Sequence, residues 1–288
     1  MLPGMKPKPR VAIVGPGHLG SALAVALRRA GYTVDTVIGR PQSMQRARVL
    51  AKQAGARATT DLSEVRADVL WLCVPDSEIA RAARTAAEIW QAKGKVALHS
   101  SGALTTHELS SLKRKWAFVA SVHPLMTFVG GSRPSFEGVP FAVEGDAAAL
   151  RAAREIIKSL GGRAYSIRKK DKAAYHAWGT FASPLLTALL ATTEQVAESA
   201  GVHRKEAARR MMPILRQTLE NYAQFGAAKG FSGPIIRGDL ETIQRHLQVL
   251  KDVPAAREVY TALARAALRY LPAKNRGVLL RLLDSSSD

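Results

Sequence analysis

The chain has 288 residues, 47% hydrophobic and 23% charged, with a formal net charge of +19 at pH 7. That length suits two domains of ordinary size with the balance of a soluble globular protein, and with no run of about 18 apolar residues a membrane span is excluded. The basic excess is spread over both halves and comes without zinc-finger spacing, a basic zipper or an RNP-like aromatic motif. It therefore predicts a cationic surface suited to small anions, with no nucleic-acid partner.

Residues 1–10 are basic and proline-rich without an apolar stretch of signal-peptide type behind them. They read as a flexible lead-in, and residues 285–288 as a frayed tail. The single cysteine, Cys73, excludes an internal disulfide and predicts a reducing, cytoplasmic setting; it reads as a small buried strand residue rather than a nucleophile.

From residue 10 to about 168 short apolar runs alternate with helical patterns, which predicts a parallel sheet with helices on both faces. Strands are expected at 10–14, 33–38, 68–74, 95–99, 116–122 and 139–144, with an edge strand at 163–167. Helices are expected at 21–30, 44–54 and 147–160, stopped by Gly31, Gly55 and Gly161-Gly162. From 169 to 284 the chain is Ala/Leu/Arg/Glu-rich and predicts an all-helical second domain. One long helix could run from 171 to 200, weakened or kinked at Gly179 and Pro184. Apolar residues on several faces of this domain, among them Leu185, Leu186, Ile214 and Leu219, suit either a homodimer interface or a monomeric bundle.

The first strand runs into Gly15-Pro16-Gly17-His18-Leu19-Gly20 and then a helix, the order that gives G-x-G-x-x-G its meaning as a dinucleotide loop. Gly15 permits the tight turn, Gly17 admits the pyrophosphate, and Gly20 lets the helix pack on the strand. The free N–H groups and partial positive charge of the helix N-terminus face the phosphates. Asp35 lies too early in the second strand for the carboxylate that holds the ribose hydroxyls of NAD. Arg40 follows the strand end instead, placed to pair with a 2′-phosphate, with Ser43 as a further hydroxyl, so NADP is the expected cofactor. Val74-Pro75 and Ser100 end later strands on the same rim, as do Ser101 and His123. Asp76 is either a rim residue or an N-cap.

These segments, with His123-Pro124-Leu125-Met126-Thr127-Phe128, Lys172-x-x-Tyr175-His176 and Gly233-Pro234-Ile235-Ile236-Arg237-Gly238-Asp239, resemble proteins that join a Rossmann-like domain to a C-terminal domain of unknown function, DUF2520. More distantly the chain is similar to 6-phosphogluconate and β-hydroxyacid dehydrogenases, pyrroline-5-carboxylate reductase and ketopantoate reductase. That resemblance implies a C-terminal domain like that of 6-phosphogluconate dehydrogenase, often dimeric, and hydride transfer in a site between two domains. It also implies that Lys172, at the start of the second domain, protonates or polarises the substrate. Ala182-Ser183-Pro184 departs from the related Ala-Ser-Asn, which puts the role of that Asn in doubt.

Lys172 and His176 are four apart and share a helix face. Together with His123 and Ser101 they are the candidates for the chemistry. Against this, Lys172 could belong to the solvated charge run Arg168-Lys169-Lys170, and His123 could be a structural histidine before a rigid proline. Arg237 and Asp239 form either an anion-binding loop or a capping ion pair. No metal spacing is present, so no metal is expected. The expected activity is an NADP-dependent oxidoreductase acting on a small anionic carbonyl or imine. The alternative is an NADP-binding sensor or partner-binding module without turnover.

Overall fold

The computed structural model describes residues 7–285 apart from Arg133. The lead-in and tail expected at the two ends therefore fall partly outside the described residues. The chain divides into two compact units, one through Thr180 and one from Phe181.

In the first unit β1 (Val11–Val14), α1 (His18–Arg29), β2 (Val34–Ile38), α2 (Met44–Ala54), β3 (Arg57–Thr59) and β4 (Val69–Leu72) follow one another. They are followed by α3 (Asp76–Ile89), β5 (Val96–His99), α4 (Ser110–Arg114), β6 (Phe118–Pro124), β7 (Pro140–Gly145), α5 (Ala147–Ser159), β8 (Arg163–Ser166) and α6 (Lys172–Ala182). The eight strands form one sheet in the order β3-β2-β1-β4-β5-β6-β7-β8. Only the β6–β7 pairing is antiparallel. Alternate strand residues divide between two cores, as the pleat requires. Ile13 and Trp71 join α1, α2 and α5 on one face, and Ala12 and Leu70 join α3 and α4 on the other. Burial on both sides is why these strands read as unbroken apolar runs.

β3 and α4 carry no apolar period long enough to predict: β3 is three residues at the sheet edge with one buried side chain, and α4 is five residues. The long helix allowed for 171–200 is in fact two. Ser183 (φ −129°, ψ −76°) interrupts it, and Pro184 opens α7 (Pro184–Ser199) at the one helical position where its missing N–H costs nothing.

The second unit continues with α8 (Arg204–Gly230), α9 (Pro234–Arg237), α10 (Leu240–Val249), α11 (Pro254–Tyr270) and α12 (Arg276–Asp284). Its core is Ile243 and Leu247 of α10, Ala264 and Leu268 of α11, and Leu279 and Leu283 of α12. By contrast α7 buries no residue and α8 only Ala207. Arg237 pairs with Asp239, at 2.9 Å from Nε and 2.8 Å from Nη2 to one carboxylate oxygen. Asp239 stands at the N-cap of α10 yet makes no capping hydrogen bond.

Candidate functional site

The glycine loop divides its three glycines between backbone needs and open space. Gly15 has φ +101°, and a Cβ there would lie 2.5 Å from the Cys73 carbonyl oxygen. A Cβ at Gly20 would lie 2.1 Å from the Gly15 carbonyl oxygen and 3.2 Å from Ile13, so only glycine lets α1 rest on β1. At Gly17 the nearest atom to a Cβ would be 4.0 Å away. No protein contact requires glycine at 17, which leaves a ligand as the reason for it. Gly17 also stands at the N-cap of α1 with no side chain and no acidic residue in the first turn, so the N–H groups of Leu19 and its neighbours remain for an anion.

Beside the loop lies a cleft of about 440 Å³ whose walls include Pro16, Gly17, Arg40, Ser43, Val74 and Pro75. Arg40 is two-thirds exposed and 3.9 Å from Glu78 of α3. Arg46, Arg81 and Thr60 share the walls and were not singled out in the sequence. Arg46 opens no strand end and Arg81 sits mid-helix, so neither falls at a motif position. Ser43 differs from expectation: its hydroxyl is buried and donates to the Arg40 carbonyl at 3.0 Å, holding the turn. Asp35, three residues before the end of β2, does not line this cleft. It is buried and accepts from Arg10, from Thr36 at 2.7 Å and from the Arg66 N–H at 3.0 Å. Cys73, expected as a buried strand residue, lies half-buried just past the end of β4 and lines the cleft, and desolvation pushes its thiol above the ordinary cysteine range.

Along the same carboxyl-end rim, α6 lies against β6 so that residues three apart on the helix meet residues two apart on the strand. Lys172 is fully buried; its Nζ donates to Ser121 Oγ at 2.7 Å and to the Ser101 carbonyl at 3.0 Å. Burial pushes it down to about 8, against the opposing pull of Glu144 and Asp76. One turn further on, Tyr175 Oη is 2.8 Å from His123 Nδ1. His176 is exposed, its ring centroid 5.9 Å from that of His123. Gly102 fits between them, since a Cβ there would come 2.5 Å from His176 Cδ2 and 2.8 Å from His123 Nε2. Burial, then the Lys172 charge, brings His123 down to about 4 and the fully buried His99 to about 3, so both rings are neutral at pH 7.

Several sequence expectations change here. Lys172 is not part of the solvated run at 168–170, but neither does it share an open face with His176: the helix turns it inward, where the protein takes up its amine. Ser101 is a brace rather than a ligand-facing group. Its hydroxyl donates to Asp76 at 2.8 Å and accepts from the N–H groups of Leu104 and Ala103 at 2.8 and 3.2 Å. Asp76 is not an N-cap, because α3 begins with it and Pro75 holds the cap position. Ser100 accepts from Trp71 Nε1 at 2.8 Å. Ser121 and Glu144 were missed; both are buried strand residues, and Glu144 accepts from the Thr106 N–H at 2.7 Å. The alternation that shows a strand says nothing of which inward polar residue has a partner.

Residues 4–124 match the family model of a Rossmann-like domain, and residues 139–267 that of a domain of unknown function, DUF2520. The chain thus carries a Rossmann-like domain followed by a DUF2520 domain, as its motifs indicate. A curated relative, a glycerol-3-phosphate dehydrogenase using NAD(P)+ from Paramagnetospirillum magneticum, is 29% identical over 168 residues. The match takes in 53% of this chain and 60% of the relative, so the chain spans less than two thirds of that protein's length. In fold the chain is similar to a candidate NADP oxidoreductase of Bacteroides fragilis (TM-score 0.76, 23% identity, 90% of this chain and 97% of that one). It is also similar to an imine reductase of Myxococcus stipitatus in complex with NADP+ (TM-score 0.64, 19% identity, 91% and 94%).

Proposed function

We propose that the protein is an NADP-dependent oxidoreductase that reduces, or oxidises to, a small anionic carbonyl or imine compound, and that it works as a cytoplasmic homodimer. The observation that carries this reading is Gly17, a glycine at the N-cap of α1 whose missing side chain faces nothing in the protein. The loop Gly15, Pro16, Gly17, His18, Leu19 and Gly20 would hold the pyrophosphate, Val74, Pro75 and Ser100 would border the cofactor, and Arg40 with Arg46 would meet a 2′-phosphate. Bound there, NADPH supplies a hydride.

The chain's own part is binding, orientation and a polar contact to the atom that gains charge. Among the described residues no protein group bonds His123 Nε2 or the His176 ring, and Lys172 acts on His123 as a buried charge. The exposed apolar residues of α7 and α8 support the dimer: Leu185 is 45%, Ile214 68%, Leu219 59% and Phe225 50% exposed. No described helix is long and apolar enough to cross a membrane.

The test is NADPH and NADH binding by nucleotide fluorescence, followed by NADPH oxidation with a panel of 2-oxo acids and cyclic imines. Failure to bind NADPH would sink the cofactor assignment. The competing reading, a cofactor-binding sensor, draws on the engagement of the Lys172 amine by protein groups; it predicts binding with no oxidation by any of the probes.

A further inference from the structure

We infer that Tyr175 is a positioning residue that holds His123 as its Nε2–H tautomer, so that a neutral imidazole presents a hydrogen-bond donor beside Gly102 on the carboxyl-end rim. The inference rests on the oxidoreductase reading for its purpose, though not for its geometry.

Tyr175 is buried at 7% exposure, and its ring is fixed edge-on against Tyr165 and Trp178, with centroids 6.2 and 6.1 Å away. Its hydroxyl bonds His123 Nδ1 at 2.8 Å, and the Tyr165 hydroxyl, buried without another partner among the described residues, lies on its other side as the group that can donate to it. A phenol O–H is a better donor than an imidazole N–H, and an imidazole nitrogen a better acceptor than a phenol oxygen. The proton therefore lies on Tyr175 in this bond, and burial raises the phenol further from ionisation. With Nδ1 accepting, the ring's own hydrogen must sit on Nε2.

Burial first, and then two charged or chargeable neighbours, discourage a second proton on the ring. The Lys172 amine and the His176 imidazole both act against it, and His99 lies on the neighbouring strand, where it is neutral. The carboxylates close by are committed elsewhere, Asp76 to Ser101 and Glu144 to Thr106. Among the described residues no protein group bonds His123 Nε2. Gly102 keeps the ground before it clear, since any Cβ there would come within 2.8 Å of that nitrogen.

When a carbonyl or imine is reduced, its π electron pair moves to the heteroatom as the carbon gains a hydride. A fixed N–H donor stabilises that growing charge without transferring its proton, and solvent supplies the proton that ends on the heteroatom. Tyr175 and Lys172 act through His123, the one by choosing the tautomer and the other by keeping the ring uncharged.

Histidine-selective 15N labelling of the ligand-free protein tests this, with His123 assigned through His123→Gln. At pH 7 the expected pattern is an unprotonated Nδ1 and a protonated Nε2. In Tyr175→Phe, which keeps the ring packing, the two nitrogens move toward the averaged shifts of exchanging tautomers. An Nδ1–H pattern in the wild type, or no change in Tyr175→Phe, overturns the inference. In turnover with whichever probe is accepted, Tyr175→Phe lowers kcat about tenfold and leaves KM for NADPH unchanged; an unchanged kcat also overturns the positioning role. If NADPH does not bind at all, the oxidoreductase reading fails while the tautomer result stands by itself.

Discussion

Lys172 Nζ donates to Ser121 Oγ at 2.7 Å, and through this bond the first turn of α6 is held to the middle of β6. The same amine reaches the Ser101 carbonyl, so one buried cation ties a helix, a strand and the loop after β5. Buried charges of this kind weigh more on their neighbours' ionisation than on stability. Lys172→Ala leaves a cavity and is expected to destabilise the fold by roughly 2–4 kcal/mol. Lys172→Met fills the space and should stay within about 1.5 kcal/mol of wild type. In the Met variant His123, freed from the positive charge, should titrate above its value of about 4. An NMR titration showing no upward movement would remove the coupling between the two residues.

The loop glycines should separate stability from binding. Gly20→Ala drives a methyl group into the Gly15 carbonyl oxygen and should cost roughly 2 kcal/mol or more. Gly17→Ala meets no protein atom within contact and should cost less than about 1 kcal/mol, while weakening NADPH binding at least tenfold. Denaturant melts and nucleotide fluorescence read the two effects. A Gly17→Ala protein that binds NADPH as well as wild type would contradict the cradle.

Arg40 is tested by cofactor choice. Its guanidinium is two-thirds exposed and only loosely paired with Glu78, so it is available to an incoming phosphate. Arg40→Ala should weaken NADPH by about 1.5–3 kcal/mol, the worth of a charge-assisted bond, and leave NADH almost unchanged. Equal losses for both nucleotides would assign Arg40 to general electrostatics.

Acid should unfold the protein through its neutral histidines. His123 and His99 bind a proton at about 4 and about 3 in the folded protein, below the ordinary 6.5. Between those values the unfolded chain binds more protons, so their contribution to stability is full above pH 6.5 and is lost as pH falls toward 4 and then 3. Lys172 gives the opposite end: folded at about 8 against an ordinary 10.5, it makes stability rise as pH climbs through that window. Urea midpoints measured from pH 4 to 10 should show both slopes, and the acid slope should lessen in His123→Gln. A flat profile below pH 6.5 would mean that these rings are charged in the fold.

The dimer is checked on α8. Ile214→Glu with Leu219→Glu places two charges on its exposed apolar surface. Light scattering after gel filtration should give a dimer for the wild type and a monomer for the double variant. A wild-type monomer at micromolar concentration would end the proposal.

The sequence read correctly wherever a local physical rule acts alone. Gly15 and Gly20 are required by backbone geometry within one strand-turn-helix, so the loop was recognisable from its spacing. Strands buried on both faces announced themselves as apolar runs, and Gly55 marked the end of α2 because the left-handed turn there favours glycine (φ +64°). Pro184 marked a weak point in a helical stretch by its missing donor. In each case cause and signal lie within a few residues of one another.

What only the tertiary structure decided is which polar residues meet. Lys172 looked like a partner of His176 because they are four apart, yet burial separates them: the helix presents Lys172 to Ser121, 51 positions away, and leaves His176 outside. Ser101 looked free and is engaged by Asp76 and two backbone N–H groups, while Tyr175, named in the motif but given no role of its own, takes hold of His123 across 52 positions. Such pairings come from the order and register of the strands and the docking of α6 on β6. These depend on the summed packing of the whole sheet and leave no periodic trace in the residues themselves.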